Sequence, residues 1–132
     1  MTTHTASCRC GQLRAVASGD PVRVSICHCL NCQKRSGSAF AAQARWPAER
    51  MVIEGRSRSF DLFGESGNKA TFYFCPDCGS DVYYDNNDRA DGQIAVPLGA
   101  FDDPYFLNPN YSIFESRKHG WVEITGNGVE HD

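Results

Sequence analysis

The sequence predicts a mostly β protein that binds metal ions through cysteine. Short runs rich in Val, Ile, Phe, Tyr and Trp alternate partly between apolar and polar residues, which is the pattern of half-buried strands. Gly and Pro separate these runs along the whole chain. Seven cysteines lie in three short groups, a distribution typical of metal ligands.

The predicted strands follow one another from residue 13 onward. They cover residues 13–17, 22–27, 39–46, 51–54, 59–63, 70–75, 81–84 and 93–98. Two further strands, around Ile113 and over residues 121–124, would complete the sheet. Asn and Gly tolerate the left-handed backbone of tight reversals, and they predict turns at residues 64–68 and 86–87. Residues 30–37 indicate a single helical turn.

Length and composition predict one domain over residues 1–132. A chain of 132 residues is well below the roughly 250 residues at which one hydrophobic core begins to divide. The sequence contains no low-complexity segment and no fixed-period repeat that would mark a boundary. With 41% hydrophobic and 22% charged residues, the composition is that of a folded soluble protein.

Charge and hydropathy argue against two classes of partner. No stretch approaches the ~20 consecutive apolar residues of a bilayer span, so we expect no membrane insertion. The formal net charge is -3 and the thirteen Lys and Arg are dispersed, so we expect no nucleic acid partner. The first seven residues lack the basic start and apolar run of a secretory signal, and we therefore expect a cytoplasmic protein with reduced cysteines.

Two pairs of cysteines predict a closed metal site. The segment Cys75-Pro76-Asp77-Cys78-Gly79 is a Cys-x-x-Cys turn, and its glycine allows the turn to close. In the segment Cys8-Arg9-Cys10-Gly11 the cysteines are two residues apart, which in a strand would put both sulfurs on one face. Together the pairs supply the four ligands of a tetrahedral structural zinc, namely Cys8, Cys10, Cys75 and Cys78.

The remaining three cysteines predict an open metal site. Cys27 and Cys29 would share one face of a strand, and Cys32 would return over them in the following turn. Three protein ligands and a free fourth position are the arrangement of catalytic zinc. His28 lies between two cysteines that share a face, so its side chain is expected to point away from the metal.

Other interpretations of the cysteines carry less weight. Inert buried thiols do not usually cluster, and disulfides are disfavoured by the odd count and by the missing secretory signal. Sulfur ligation favours zinc over hard cations, but iron in a four-thiolate site stays open because ligand spacing does not distinguish the two metals.

These motifs resemble the glutathione-dependent formaldehyde-activating enzyme family, which includes the domain of centromere protein V. The resemblance is carried by residues 7–11, 27–38 and 74–80, with a C-terminal echo from Ile113 to Trp121. It implies a β-tent (Mss4-like) fold of antiparallel sheets pinned by zinc. It also implies two zinc ions per chain, a structural ion on the first and last cysteine pairs and a catalytic ion on Cys27, Cys29 and Cys32.

The resemblance also implies a carbon-sulfur lyase. In the family, glutathione and formaldehyde combine to S-hydroxymethylglutathione, so the expected partner is a small-molecule thiol or thiol-aldehyde adduct. Ser7 stands where the family commonly has Gly before the first cysteine. We therefore take the reaction class, rather than the particular substrate, as the prediction.

Two functions of other kinds stay open at this point. One is a non-catalytic zinc-stabilised binding module, which the relation to centromere protein V allows. The other is a redox or metal-storage role for the three-cysteine site, which ready exchange or a change of oxidation state of the metal would reveal.

Several residues outside the cysteines are candidate substrate contacts if the protein is a lyase. Those just after the triplet are Gln33, Lys34, Arg35, Ser36 and Ser38. Of these, Lys34 and Arg35 suit a carboxylate. Tyr105, Phe106 and Trp121 are candidate pocket residues and His119 is a candidate proton carrier, with core packing or solvent exposure as the ordinary alternative.

Overall fold

Eleven β-strands and one α-helix make up the described part of the chain. The structure is a computed structural model, and it describes residues 1–63, 67–86 and 92–132. The strands are β1 Thr3–Ser7, β2 Arg14–Ser18, β3 Arg23–Cys27, β4 Ala41–Pro47, β5 Met51–Glu54, β6 Arg58–Phe63, β7 Lys69–Phe74, β8 Asp81–Asn86, β9 Gln93–Pro97, β10 Tyr111–Ile113 and β11 Glu130–His131. The helix α1 spans Leu30–Ser36, and 3-10 turns cover Ala48–Arg50, Leu98–Ala100 and Glu115–Arg117.

The strands form two sheets of unequal size. The smaller sheet has the order β1-β2-β5, and the larger one has the order β11-β10-β3-β4-β9-β8-β7-β6. Neighbouring strands are antiparallel, except that β10 runs parallel to both β3 and β11. The predicted mostly β fold with antiparallel sheets is therefore confirmed.

The main core brings residues of the two sheets together. Its buried members on the strands are Ala6, Ala15, Ala17, Val24, Ala44, Trp46, Val82 and Val96. Alanines on the smaller sheet leave room for the indole of Trp46, whose Nε1 donates a 3.0 Å hydrogen bond to the carbonyl of Gly19. Cys8 and Cys75 belong to the same core, so the sheets meet where these cysteines lie.

Most of the predicted elements are present. The predicted strands from residues 13–17 to 93–98 correspond in order to β2 through β9, and the one around Ile113 is β10. The helical turn predicted at residues 30–37 is α1. The helix is followed by its C-cap Gly37, which has the left-handed φ of 66° that favours glycine. Of the two predicted turns, residues 64–66 and 87 lie outside the described residues.

The sequence prediction missed two strands and was wrong about one. β1 has no bulky apolar residue and fully buries only Ala6, and β11 has just two residues, so neither shows the expected pattern. Residues 121–124 do not form a strand. Trp121 is 76% exposed, and the backbone N–H of Val122 donates to the carbonyl of His119 in a turn. The alternation of residue types in this segment therefore does not reflect a strand.

Helices are short throughout the described residues. The α-helix has seven residues. Nothing helical in residues 1–63, 67–86 or 92–132 is both long and apolar enough to cross a bilayer.

Candidate metal centres

Four cysteines converge at the junction of the two sheets. The Sγ atoms of Cys8, Cys10, Cys75 and Cys78 all lie within 4.8 Å of one another. The Sγ of Cys10 is 3.5 Å from that of Cys8 and 3.7 Å from that of Cys75. A tetrahedral ion with metal–sulfur bonds of ~2.3 Å separates its ligand atoms by ~3.8 Å, so this cluster fits such an ion.

Two tight loops hold these four sulfurs. After β1, the N–H of Gly11 donates to the carbonyl of Cys8 at 3.1 Å, and after β7 the N–H of Gly79 donates to the carbonyl of Cys75 at 2.8 Å. Both glycines have a left-handed φ, 87° and 78°, that other residues rarely adopt. The first pair thus lies in a turn just after β1, and the expectation that Cys8 and Cys10 share a strand face is wrong, although their sulfurs do lie side by side.

Hydrogen-bond donors surround the sulfurs of the four-cysteine cluster. The amide of Gln12 donates through Nε2 to the Sγ of Cys75 at 2.9 Å, and the N–H of Leu13 donates to the Sγ of Cys8 at 3.3 Å. The same Gln12 side chain pairs with the backbone of Arg56 through both its oxygen and its nitrogen, at 2.9 and 2.8 Å. Such donors stabilise thiolates, the form in which cysteine binds metal.

The pKa values within this cluster show how crowded its charges are. Hydrogen bonding with Ser80 is the largest of the causes that lower the pKa of Cys78 to about 5. At Cys10 the backbone of Gln12 acts in the lowering direction, but the neighbouring sulfurs and burial outweigh it and raise the pKa to about 12. The opposite shifts of Cys10 and Cys78 indicate that neighbouring sulfurs compete for negative charge, and a bound cation would relieve the repulsion between thiolates.

The other three cysteines form a second cluster at the start of α1. The Sγ atoms of Cys27, Cys29 and Cys32 lie within 4.8 Å of one another. Among the residues that the structure describes, no fourth His, Cys, Asp or Glu joins them. Cys29 and Cys32 are partly exposed residues, and Cys27 is buried. The cluster therefore offers a metal ion three protein ligands and an accessible side.

Local backbone geometry explains how six residues bring three sulfurs together. Cys27 is the last residue of β3 and pairs with Ala41 of β4 on one side and Ile113 of β10 on the other. Cys29 is the N-cap of α1, with an extended backbone, and its Sγ accepts a 3.3 Å hydrogen bond from the N–H of Cys32. The predicted return of Cys32 over the other two is the first turn of this helix.

The pKa values of two thiols of the triplet shift in opposite directions. The hydrogen bond between the Cys32 and Cys27 thiols is the largest of the causes that lower the pKa of Cys32 to about 6, and the Arg35 guanidinium adds to this against the effect of burial. The same contact and burial raise the pKa of Cys27. As in the first cluster, neighbouring sulfurs compete for negative charge, which a bound cation would relieve.

Arg35 is fixed in place beside this cluster. Its Cζ lies 4.4 Å from the ring centre of Phe72 and 5.5 Å from that of Tyr84, and its Nη1 lies 3.8 Å from a carboxylate oxygen of Asp81. Burial raises the pKa of Asp81, and the nearby guanidinium opposes that shift. Two aromatic rings and one carboxylate thus hold a permanent positive charge close to Cys32.

His28 faces away from the sulfurs, as its position predicted. The residue is fully buried, and its Nε2 lies 2.9 Å from the Oγ of Ser112 on β10. Burial is the main cause that lowers the pKa of the imidazole, which favours the neutral ring. It is absent from both sulfur clusters in the described residues and fixes β10 against the start of α1.

The other candidate residues near the triplet differ in their contacts and in their exposure to solvent. The Oγ of Ser36 donates to the carbonyl of Cys32 at 2.8 Å, within the helix. Gln33 donates through Nε2 to the carbonyls of His28 and Arg117, and its Oε1 lies 2.8 Å from Nε2 of His119, so it joins α1 to the C-terminal segment. Lys34 and Ser38 are exposed.

The three aromatic candidates do not gather around the cysteines. Tyr105 is 87% exposed and Trp121 is 76% exposed. Phe106 packs against the main core and stacks on His4 with ring centres 4.0 Å apart. No sequence pattern pointed to the residues that hold Arg35 beside the triplet. These residues, Phe72, Asp81 and Tyr84, come from β7 and β8, far along the chain.

Fold and clusters together define a mostly β protein with two cysteine sites that can hold metal ions. The chain matches the family described as glutathione-dependent formaldehyde-activating enzyme over residues 3–117. Because that match spans most of its length, the chain belongs to this family. No curated protein matches the chain in sequence.

A solved structure supports the fold alone. The crystal structure of a Rhodobacter sphaeroides protein from a structural genomics programme superposes with a TM-score of 0.58. The aligned region covers 80% of this chain and 91% of that one, at 16% sequence identity. At that identity the likeness concerns the arrangement of the strands and not the chemistry.

Proposed function

We propose that the chain is a zinc-dependent carbon-sulfur lyase that acts on a thiol-aldehyde adduct such as S-hydroxymethylglutathione. The observation that supports this best is the contrast between the two clusters, one with four cysteines at a sheet junction and one with three on an accessible helix start. Family membership supports the reaction class. We also propose that residues 1–132 act as one domain in the cytoplasm.

The two clusters would have different tasks. Cys8, Cys10, Cys75 and Cys78 would hold a structural zinc, and Cys27, Cys29 and Cys32 would hold the catalytic one. A zinc ion held by Cys27, Cys29 and Cys32 would lower the pKa of a substrate thiol from about 8.5 toward or below neutrality.

The breakdown direction requires no oxidant or reductant. In the adduct the carbon-sulfur bond breaks, its electron pair stays on sulfur, and the neighbouring hydroxyl loses its proton as the aldehyde forms. Asp81 lies in the same surface groove as Arg35 and would accept that proton. Arg35 would orient the oxygen and offset the negative charge of the thiolates, because its guanidinium is held close to Cys32.

One comparison of variants tests the proposal. Metal analysis of the purified protein should find two zinc ions per chain, and formaldehyde release from S-hydroxymethyl thiols should be measurable. Cys32→Ser should lose turnover and one zinc while circular dichroism stays native, and Ser36→Ala, on the same helix, is the matched control. Turnover that survives Cys32→Ser would contradict the proposed role of the triplet.

A non-catalytic binding module is the second candidate, and one observation favours it. The strand β6 is exposed over its whole length and presents Phe60, Leu62 and Phe63 to solvent. Exposed apolar side chains that lie together often mark a binding surface. A protein that holds two zinc ions but processes no thiol adduct would favour this candidate.

A further inference from the structure

An apolar groove runs between α1 and the β6–β7 edge of the larger sheet. The residues that matter most for its character are Lys34, Arg35, Phe60, Leu62, Phe72 and Phe74. Its volume is about 410 Å³, which lies within the ~300–1,000 Å³ range of small-molecule pockets. We call this feature the aromatic groove.

The wall of the aromatic groove is a continuous apolar face of the sheet. Phe60 of β6 lies directly opposite Phe72 of β7, and Leu62 lies opposite Ala70. Helix α1 leaves this face partly open, so that Phe60 is 62% exposed and Leu62 is 37% exposed. Covering these side chains with a ligand would remove apolar surface from water, which favours binding.

Helix α1 connects the aromatic groove with the three-cysteine cluster, because it contributes residues to both. Cys32 lies on α1 between Asn31 and Lys34, both of which line the groove. Arg35 is a lining residue whose guanidinium rests on the Phe72 ring at 4.4 Å. A molecule with its sulfur at the cluster could therefore extend its body along this wall.

One charged side chain of the groove has no ion-pair partner among the described residues. Arg35 is already paired with Asp81 at 3.8 Å. Lys34 is exposed and has no ion pair within the described residues. The ammonium group of Lys34 would attract a ligand carboxylate, and it would do so without fixing the orientation of the anion.

We propose that the aromatic groove binds the body of the thiol substrate, and that this substrate is an apolar, ring-bearing thiol with a carboxylate. The inference rests on the proposed lyase function and narrows its substrate class. Polar thiols such as glutathione would gain little from the phenylalanine wall, because their amides would leave water for a surface that offers few hydrogen bonds.

A sulfur-free ligand tests the groove independently of the metal chemistry. Binding of 3-phenylpropanoate to the zinc-loaded protein can be followed by chemical shifts in NMR titration. Phe60→Ala should weaken binding about tenfold, the scale of one lost apolar pocket contact. Lys34→Gln should weaken binding severalfold, and Lys34→Arg should bind 3-phenylpropanoate like the unmodified protein.

The same strand offers a matched control. Phe63 is 64% exposed but does not line the aromatic groove, since residues 60 and 63 lie on opposite faces of β6. Phe63→Ala should therefore bind 3-phenylpropanoate like the unmodified protein. If Phe60→Ala does not fold, as judged by circular dichroism, the Lys34 pair carries the test because that side chain is exposed on a helix.

The thiol form separates this inference from the lyase proposal. The S-hydroxymethyl adduct of 2-mercapto-3-phenylpropanoate should be turned over with a KM at least about tenfold lower than that of S-hydroxymethylglutathione. Equal KM values would overturn the groove inference and leave the lyase intact. Binding of 3-phenylpropanoate with the expected variant pattern, but no turnover of any adduct, would support the groove and overturn the lyase.

Two other results would also overturn the inference. One is binding of 3-phenylpropanoate that is unaffected by both Phe60→Ala and Lys34→Gln. The other is a dimer in sedimentation experiments that both Phe60→Ala and Phe63→Ala dissociate, because a second copy would then cover this edge of the sheet.

Discussion

Replacement of Cys78 by serine is expected to unfold the protein or come close to it. The four-cysteine cluster joins a loop after β1, in the smaller sheet, to a loop after β7, in the larger one. Its ligands Cys10 and Cys75 are 65 residues apart in sequence. A metal ion at this place would act as a crosslink between the two sheets, and serine in place of Cys78 would leave Cys75 as its one remaining cysteine ligand on the side of the larger sheet.

The structure sets the scale of this loss. A crosslink that closes a loop of about 65 residues stabilises a fold by roughly 4 kcal/mol through chain entropy alone, and structural zinc contributes on the order of 10 kcal/mol in total. The net stability of a domain is about 5–15 kcal/mol. The free energy of unfolding falls by ~2 kcal/mol per molar urea, so the loss of roughly 4 kcal/mol alone would lower the urea midpoint by roughly 2 M.

Urea unfolding followed by circular dichroism measures this effect. Cys32→Ser is the matched control, since its cluster lies within six consecutive residues and closes no long loop, and its midpoint should change far less. An unchanged midpoint for Cys78→Ser, or an equal loss in both variants, would refute the assignment of the structural role.

Three more predictions concern the triplet. A graded chelator should remove one metal ion per chain while circular dichroism stays native, because three protein ligands hold less tightly than four; loss of both ions together with the fold would contradict this. Arg35→Met should keep the packing against Phe72 but lower turnover about tenfold or more. In metal-depleted protein it should also raise the pH at which Cys32 is half alkylated, because the guanidinium lowers the pKa of the Cys32 thiol. Burial raises the pKa of Asp81. Turnover should fall as the pH falls through this pKa, because the protonated carboxyl cannot accept a proton. Asp81→Asn should lose both the activity and its dependence on pH.

The controls for these experiments come from the same helix. Lys34→Gln should leave the alkylation profile of Cys32 unchanged if Arg35 acts through its fixed position rather than through general positive charge. A pH profile that is flat on the acid side would remove Asp81 from the mechanism.

Local sequence was sufficient to predict the cysteine triplet and each of the two cysteine pairs, and the four ligands that a structural zinc requires were the reason to join the pairs. Ligands a few residues apart must lie close in space, and glycines at positions 11 and 79 indicated where the chain turns. The assignment of Cys8 and Cys10 to a strand was wrong because the turn that Gly11 closes begins at Cys8, immediately after β1. A short turn and a strand can both bring two such sulfurs together, and spacing alone does not separate them.

The surroundings of the clusters could not be predicted in this way. Phe72 and Tyr84 hold Arg35 from β7 and β8, and Gln12 reaches Cys75 across 63 residues. These contacts depend on sheet order, which the strand pattern does not encode. At residues 121–124 the sequence predicted a strand that does not form. Residue types partly alternate there, but no strand among the described residues pairs with this segment.

The proposed lyase requires the three-cysteine site to accept an outside sulfur, and cobalt substitution can show whether it does. Tetrahedral cobalt with thiolate ligands absorbs visible light, and an additional sulfur ligand changes that spectrum. Titration of cobalt-substituted protein with thiols should change the spectrum of the unmodified chain and leave that of Cys32→Ser unchanged. A spectrum of the unmodified chain that responds to neither glutathione nor an apolar thiol such as 2-mercapto-3-phenylpropanoate would contradict the lyase proposal.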